Sequence, residues 1–174
     1  MKAPFALRAL FSASRSILIY TLLAGALAAA DDPGGWSKAK WGMTEAQLAD
    51  AFGVANIVRV PLAGGSAAPA VDVEIEGRPF RASFGLKNGG LSSVTLSPRQ
   101  DKDGTAYVVQ SLVDLLVEKY GRPWKSETGK TLRTVNYQWS LPTTVIALSF
   151  TTAPGLSDLS ILALTYTRHS ADPL

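Results

Sequence analysis

The chain has 174 residues, with 17 Lys and Arg against 14 Asp and Glu, one histidine and no cysteine. Lys2, Arg8 and Arg15 all precede the first acid, so residues 31–174 carry equal numbers of both signs and no basic surface able to hold a phosphate backbone; nucleic acid is excluded as a partner. Without cysteine there are no disulfides, no thiolate metal ligands and no lipid-modified N-terminal thiol, so packing alone must supply stability.

Residues 1–30 read as a signal peptide. A basic start leads into a low-polarity run from Ile17 to Ala30, and Ala28-Ala29-Ala30 supplies the small residues that a signal peptidase reads, so cleavage is expected after Ala30. The run is fourteen residues long, short of the roughly 20 that a helix needs to cross hydrocarbon. No stable membrane anchor is therefore expected after cleavage, and the mature chain is expected to be periplasmic or secreted. Residues 31–40 open on Asp31-Asp32-Pro33-Gly34-Gly35 and read as a flexible leader. Trp36 and Trp41 follow, either covering the edge of the core or reaching a partner.

A first unit is expected over residues 41–98. Thr44 is placed to cap a helix, since its hydroxyl can accept from the Gln47 backbone N–H while the Gln47 side chain returns to the Thr44 N–H. That helix should run from Glu45 to Phe52 and stop at Gly53. A short strand is expected between Asn56 and Leu62, then a loop over Ala63 to Pro69. Val71, Val73 and Ile75 alternate with Asp72, Glu74 and Glu76, the period of a strand with one wet face. Gly77-Arg78 is read as a tight turn, which sets Ile75 opposite Phe80 and Glu74 opposite Arg81. Phe80, Ala82, Phe84 and Leu86 then point inward. A three-residue loop at Asn88-Gly89-Gly90 with a glycine bulge puts Phe84 opposite Val94 and Ala82 opposite Leu96.

Ser97 to Gly104 connects to a second unit, expected over residues 99–174. Val109, Leu112, Val113, Leu116 and Tyr120 fall at helical spacing after a cap at Thr105, with Gly121 and Pro123 ending the helix. Lys125 to Lys130 is turn-prone, and strands are expected at Leu132 to Ser140, Thr144 to Thr152 and Leu159 to Arg168. The turns between them are Leu141-Pro142-Thr143 and Ala153-Pro154-Gly155-Leu156.

An internal echo joins the halves. Leu48-Ala49-Asp50-Ala51-Phe52-Gly53 matches Leu116-Val117-Glu118-Lys119-Tyr120-Gly121, and Leu91-Ser92-Ser93-Val94-Thr95-Leu96 matches Leu159-Ser160-Ile161-Leu162-Ala163-Leu164, both at an offset of 68. The fold class expected is α+β: two tandem units, each a helix on an antiparallel meander, closed into one compact domain as a pseudo-repeat.

No constellation for chemistry survives inspection. His169 stands where the last strand gives way to a polar tail, with no positioned partner in sequence. Asp101-Lys102-Asp103-Gly104 resembles the start of a calcium loop, but Leu112 stands where the twelfth-position Glu belongs. Gly129-Lys130-Thr131 resembles the end of a phosphate-binding loop, but Trp124 replaces its first glycine. Asp72, Glu74 and Glu76 share one strand face, which solvation already explains. No catalytic residue, metal or cofactor is expected.

Gly42-Met43-Thr44-Glu45-Ala46-Gln47-Leu48, ending at Phe52-Gly53, resembles the opening of the BamE (SmpA/OmlA) outer-membrane assembly lipoproteins. Two such units in tandem are similar in plan to the β-lactamase inhibitor proteins, which clamp their enzyme with a concave sheet. The BamE type is anchored through a lipidated cysteine, which this chain lacks. No functional residue is carried over from the resemblance. The export signal, the lack of catalytic groups and the available tryptophans lead to the expectation of an exported, non-enzymatic envelope protein that binds another protein, with Trp36, Trp41, Trp124 and Trp139 as interface or pocket residues. The alternative is a periplasmic small-ligand carrier with an apolar pocket between sheet and helices, lined by Phe80, Phe84, Tyr137 and Trp139.

Overall fold

The computed structural model describes residues 31–62, 65–99, 105–129, 132–153 and 160–169. The signal peptide read over residues 1–30 lies outside them, as do Asp101 to Gly104, Lys130 and Thr131, most of the turn expected at 153–156, and the tail after His169.

The described elements are β1 (Gly35–Trp36), β2 (Ala39–Lys40), α1 (Glu45–Phe52), β3 (Val58–Pro61), β4 (Ala67–Ile75), β5 (Arg78–Lys87), β6 (Gly90–Pro98), α2 (Thr105–Tyr120), β7 (Trp124–Thr128), β8 (Arg133–Ser140), β9 (Thr144–Thr152) and β10 (Ser160–Arg168). β1 and β2 form a hairpin. The other eight strands make one antiparallel sheet in the order β3-β4-β5-β6-β10-β9-β8-β7.

This architecture corrects the expected α+β class. Among the described residues the protein is mostly β, with 55% in strand and two α-helices, and eight of the strands form one sheet instead of two helix-plus-meander units. The reason is the pairing of β6 with β10, where Leu96 lies opposite Leu164 and Val94 opposite Tyr166. Joining there satisfies two strand edges that separate meanders would leave open. The helices are unequal as well: α1 has 8 residues and buries Leu48 alone, whereas α2 has 16. An offset of 68 therefore matches α1 to the last half of α2, and the internal repeat is not supported.

One face of the sheet carries the core. Val71, Ala82, Leu96, Leu164, Leu148 and Tyr137 are successive cross-strand partners, as are Phe84, Val94, Tyr166, Ile146 and Trp139. Residues directly opposite in antiparallel strands point the same way, so these rows form an apolar floor. α2 lies on that floor through Val108, Val109, Leu112, Val113, Leu116 and Tyr120, all buried. The helical spacing seen in sequence is the buried stripe. Tyr120 and Tyr166 are hydrogen-bonded, and burial together with Tyr120 pushes the Tyr166 phenol far above its ordinary value.

α1 begins with the expected capping box. The Thr44 N–H donates to Gln47 Oε1 at 2.8 Å, and the Gln47 N–H donates to Thr44 Oγ1 at 3.4 Å. At its far end the Phe52 ring lies 5.3 Å from Phe84 and 6.3 Å from Trp36. The leader expected to be flexible instead forms the β1–β2 hairpin, and Trp36 packs on the core through that stack.

Two turns differ from expectation. The β4–β5 turn is Glu76-Gly77, with φ of 50° and 73°, so Ile75 faces Arg78, Val73 faces Phe80 and Asp72 faces Arg81. Both central residues are left-handed, the geometry whose twist suits a two-residue hairpin. The slip from the expected register is two residues, which leaves every side chain on its expected face. At the β5–β6 turn, Phe84 does face Val94 and Ala82 does face Leu96, but the loop is the two-residue Asn88-Gly89 and the bulge sits at Gly85/Leu86.

Phe80 and Phe84 are each 1% exposed and Trp139 is 3% exposed. All three, expected to line a ligand pocket, belong to the buried core, and Trp139 also borders a cavity at the end of β8.

Candidate functional site

The second face of the sheet is formed by the alternate residues. One row across it runs Trp124, Gln138, Ala147, Thr165, Thr95, Ser83, and the next runs Ser140, Val145, Thr167, Ser93, Gly85. A third contains Ser126, Asn136, Ser149 and Ala163. Both helices pack on the opposite face, and these side chains stay half-buried or exposed. The face is paved with short hydroxyl and methyl groups. Thr95 and Thr165 hydroxyls meet at 3.5 Å across the β6–β10 seam, and Thr134 meets Thr151 at 3.0 Å. Toward β4, Arg81 Nε donates to Asp72 Oδ1 at 2.8 Å and Arg99 Nη1 donates to Asp72 Oδ2 at 2.7 Å. The Arg81 hydrogen bond, against a small burial cost and with Coulombic help from Arg81 and Arg99, holds the Asp72 carboxyl below its ordinary value.

Two cavities open at the same end of the sheet, where β8 and β10 finish and β6 begins. The first, of about 590 Å³, is lined by Tyr120, Arg122, Trp124, Gln138, Trp139, Ser140 and Leu141. It brings together two of the four tryptophans singled out in sequence. Trp124 is 64% exposed, while Trp139 is buried and its indole N–H donates to the Gly121 carbonyl at 2.7 Å. The second, of about 780 Å³, lies between the β5–β6 turn and the end of β10, with Lys87, Arg168 and His169 on its walls.

Between the cavities stands the β8–β9 turn, and the N-terminal segment is fastened to it. Asp32 Oδ1 accepts from the Thr143 and Thr144 hydroxyls, each at 2.8 Å, and from the Gly34 N–H at 3.0 Å, while Asp32 Oδ2 accepts from the Thr143 N–H. Partial burial works against the charge, but these four hydrogen bonds outweigh it and lower the Asp32 pKa. Trp41 completes the fastening through its indole N–H. Trp36 and Trp41 thus both pack against the core, Trp36 through Phe52 and Trp41 through Thr144.

His169 is exposed, with its backbone N–H donating to the Thr143 carbonyl at 2.8 Å and Nδ1 lying 3.2 Å from the Leu141 carbonyl. Asp72 is engaged by two arginines and Glu76 sits in the turn after β4, so Asp72, Glu74 and Glu76 are not gathered on one strand face. Among the described residues no group of three or more His, Asp or Glu side chains is gathered to hold an ion.

Sequence reasoning did not single out the hydroxyl face, although its residues are the polar half of each alternation. Burial gives inward positions a signal in sequence; outward positions carry only the polarity of a solvated face. Lys87 and Arg168 were missed because nothing local relates two residues 81 positions apart. No family model matches the chain, and no curated protein or solved structure matches it, so the resemblance carried by Gly42 to Leu48 and Phe52-Gly53 rests on those residues alone.

Proposed function

We propose that this chain is an exported, non-enzymatic binding module that presents the uncovered face of its eight-stranded sheet to another protein of the bacterial envelope. The observation that carries the reading is that face, broad, regular and left open by both helices. With strands about 4.8 Å apart and residues rising about 3.4 Å, the 63 residues of the eight strands cover about 1,000 Å². A standard interface takes about 800 Å² from each partner. Short Ser, Thr and Ala side chains have little rotamer freedom to lose on docking, which keeps the ordering cost of binding small. Trp124 at the margin supplies an aromatic anchor of the kind that dominates interface energetics. The signal-like residues 1–30 support export.

The test is site-specific photocrosslinking in the periplasm of a Gram-negative host. A benzophenone side chain placed at Ala147 or Thr165 on the open face is expected to capture a discrete envelope protein. The same group at Asp114, on the solvent side of α2, is expected to capture none. Capture from Asp114 equal to that from the sheet positions would overturn the reading.

A further inference from the structure

We propose that the groove at the end of β6 and β10 receives an acidic segment of the protein held on the open face. The proposal rests on the binding reading above and adds the chemistry of the partner. The groove's ionisable side chains are all basic: Lys87 from the end of β5, Arg168 from the end of β10, and His169 just after it. Among the described residues no Asp or Glu lines it. Arg59, Arg81, Arg99 and Arg133 are each paired with a carboxylate, yet neither Lys87 nor Arg168 has an ion-pair partner among the described residues. Residues 31–174 are balanced in charge, so this local excess is not a sample of a generally basic protein.

The groove is built on backbone hydrogen bonds. Its floor is made where Gly42 meets β6: the Gly42 N–H donates to the Leu91 carbonyl at 2.9 Å and the Leu91 N–H donates to the Met43 carbonyl at 2.8 Å. A Cβ on Gly90 would come within 3.1 Å of the Gly42 carbonyl oxygen, so glycine there allows the two backbones to close up. Lys87 is set by the tight Asn88-Gly89 turn, and His169 by its bonds to the β8–β9 turn. A pre-formed site loses less on binding than one that must be ordered.

Two features favour a stretch of acidic chain over a small free anion. At about 780 Å³ the space is many times that of one carboxylate or phosphate group. Ser93 and Thr167 belong both to the groove and to a row of the open face, so an occupant of that face runs directly into it. Exposed cations of this kind act mainly on the encounter rate and give binding a salt dependence.

The experiment measures binding of a fluorescent hexaglutamate peptide to the purified protein, with hexaglutamine, inorganic phosphate and phosphatidylglycerol vesicles as further arms. Hexaglutamate is expected to bind and hexaglutamine not. Affinity should fall at least tenfold between 50 and 500 mM salt and by a similar factor in K87Q/R168Q, while K119E on α2 leaves it unchanged. Circular dichroism confirms that the variants fold, and both changed side chains are exposed. Hexaglutamate binding that ignores K87Q/R168Q or responds equally to K119E would overturn the proposal. So would full competition by phosphate at matched ionic strength, which assigns the groove to a free anion, or tight binding to the vesicles without binding of the peptide, which assigns it to a lipid surface. Hexaglutamate binding without photocapture at Ala147 would sink the open-face reading alone; photocapture without hexaglutamate binding would sink the groove alone.

Discussion

The indole N–H of Trp41 donates to Thr144 Oγ1 at 3.0 Å, and the same Thr144 hydroxyl donates to Asp32 Oδ1 at 2.8 Å. One side chain, fully buried at the start of β9, thus ties together the leader, the approach to α1 and the β8–β9 turn. Thr144 is also the buried polar residue of the described core, and it is satisfied because it uses its hydroxyl both as acceptor and as donor.

Replacing Thr144 by Val keeps the shape and removes both bonds. The Trp41 N–H and an Asp32 oxygen are then left without that partner in a half-buried setting, which costs about 1–3 kcal/mol. We expect T144V to lower the stability read from urea unfolding by that amount. A change below about 0.5 kcal/mol, the level of an ordinary surface substitution, would show that the knot is incidental.

The same knot gives stability a pH dependence. The Asp32 carboxyl is held below its ordinary value in the folded chain, so its contribution is fully present above the unfolded carboxyl pKa of about 3.9 and is lost as pH falls through the folded value. Asp72 is depressed in the same sense through Arg81, so the acid limb has more than one source. Urea midpoints of the wild type and D32N, compared from pH 6 to pH 2.5, are expected to differ by a constant amount above about pH 5 and to converge below the unfolded carboxylate pKa near 4. A difference that stays constant down to pH 2.5 would mean that Asp32 stabilises by shape and not by charge.

Local rules wrote much of this fold into the sequence. Thr44 and Gln47 announce a capping box three residues apart, Phe80, Ala82 and Phe84 alternate, and Leu112, Leu116 and Tyr120 recur at helical spacing; the box forms as written, and the other two patterns are buried as their periods require. What failed were choices decided at long range. β7 has no alternation of its own and was read as turn, because it becomes a strand only by pairing with β8, Lys125 against Tyr137 and Glu127 against Val135. Glu76 takes φ of 50°, costly for glutamate, and a reading that reserves such positions for glycine starts the turn one residue late. The union of β6 with β10, which converts two meanders into one sheet, depends on residues about 70 apart and leaves no local trace. The candidate site inherits that difficulty: a face of Ser and Thr becomes a continuous surface only when the sheet is continuous.

Gly35 carries a testable constraint on the leader. Its φ is 150°, and a Cβ there would lie 2.0 Å from the Ala39 carbonyl oxygen, a backbone atom that cannot swing aside. G35A should therefore break the β1–β2 hairpin and loosen Trp36 from Phe52, at a cost on the order of 2–4 kcal/mol. Limited proteolysis is the sharper readout. Cleavage between residues 31 and 43 should appear in G35A before global unfolding, and its absence would show that the hairpin tolerates the extra methyl group.

Trp124 and Trp139 separate folding from binding. They line the same cavity, but Trp139 is 3% exposed and bonded to the Gly121 carbonyl, whereas Trp124 is 64% exposed on an edge strand. W139A removes a buried ring and leaves a void beneath α2, so a loss of about 3–5 kcal/mol is expected, a large share of the 5–15 kcal/mol typical of a domain. W124A touches little and should stay within about 0.5 kcal/mol of the wild type. If Trp124 anchors a partner on the open face, W124A must nevertheless weaken photocapture from Ala147 at unchanged stability. A variant as stable as the wild type that captures the partner undiminished would remove Trp124 from the interface, and equal destabilisation by the two substitutions would contradict the burial that distinguishes them.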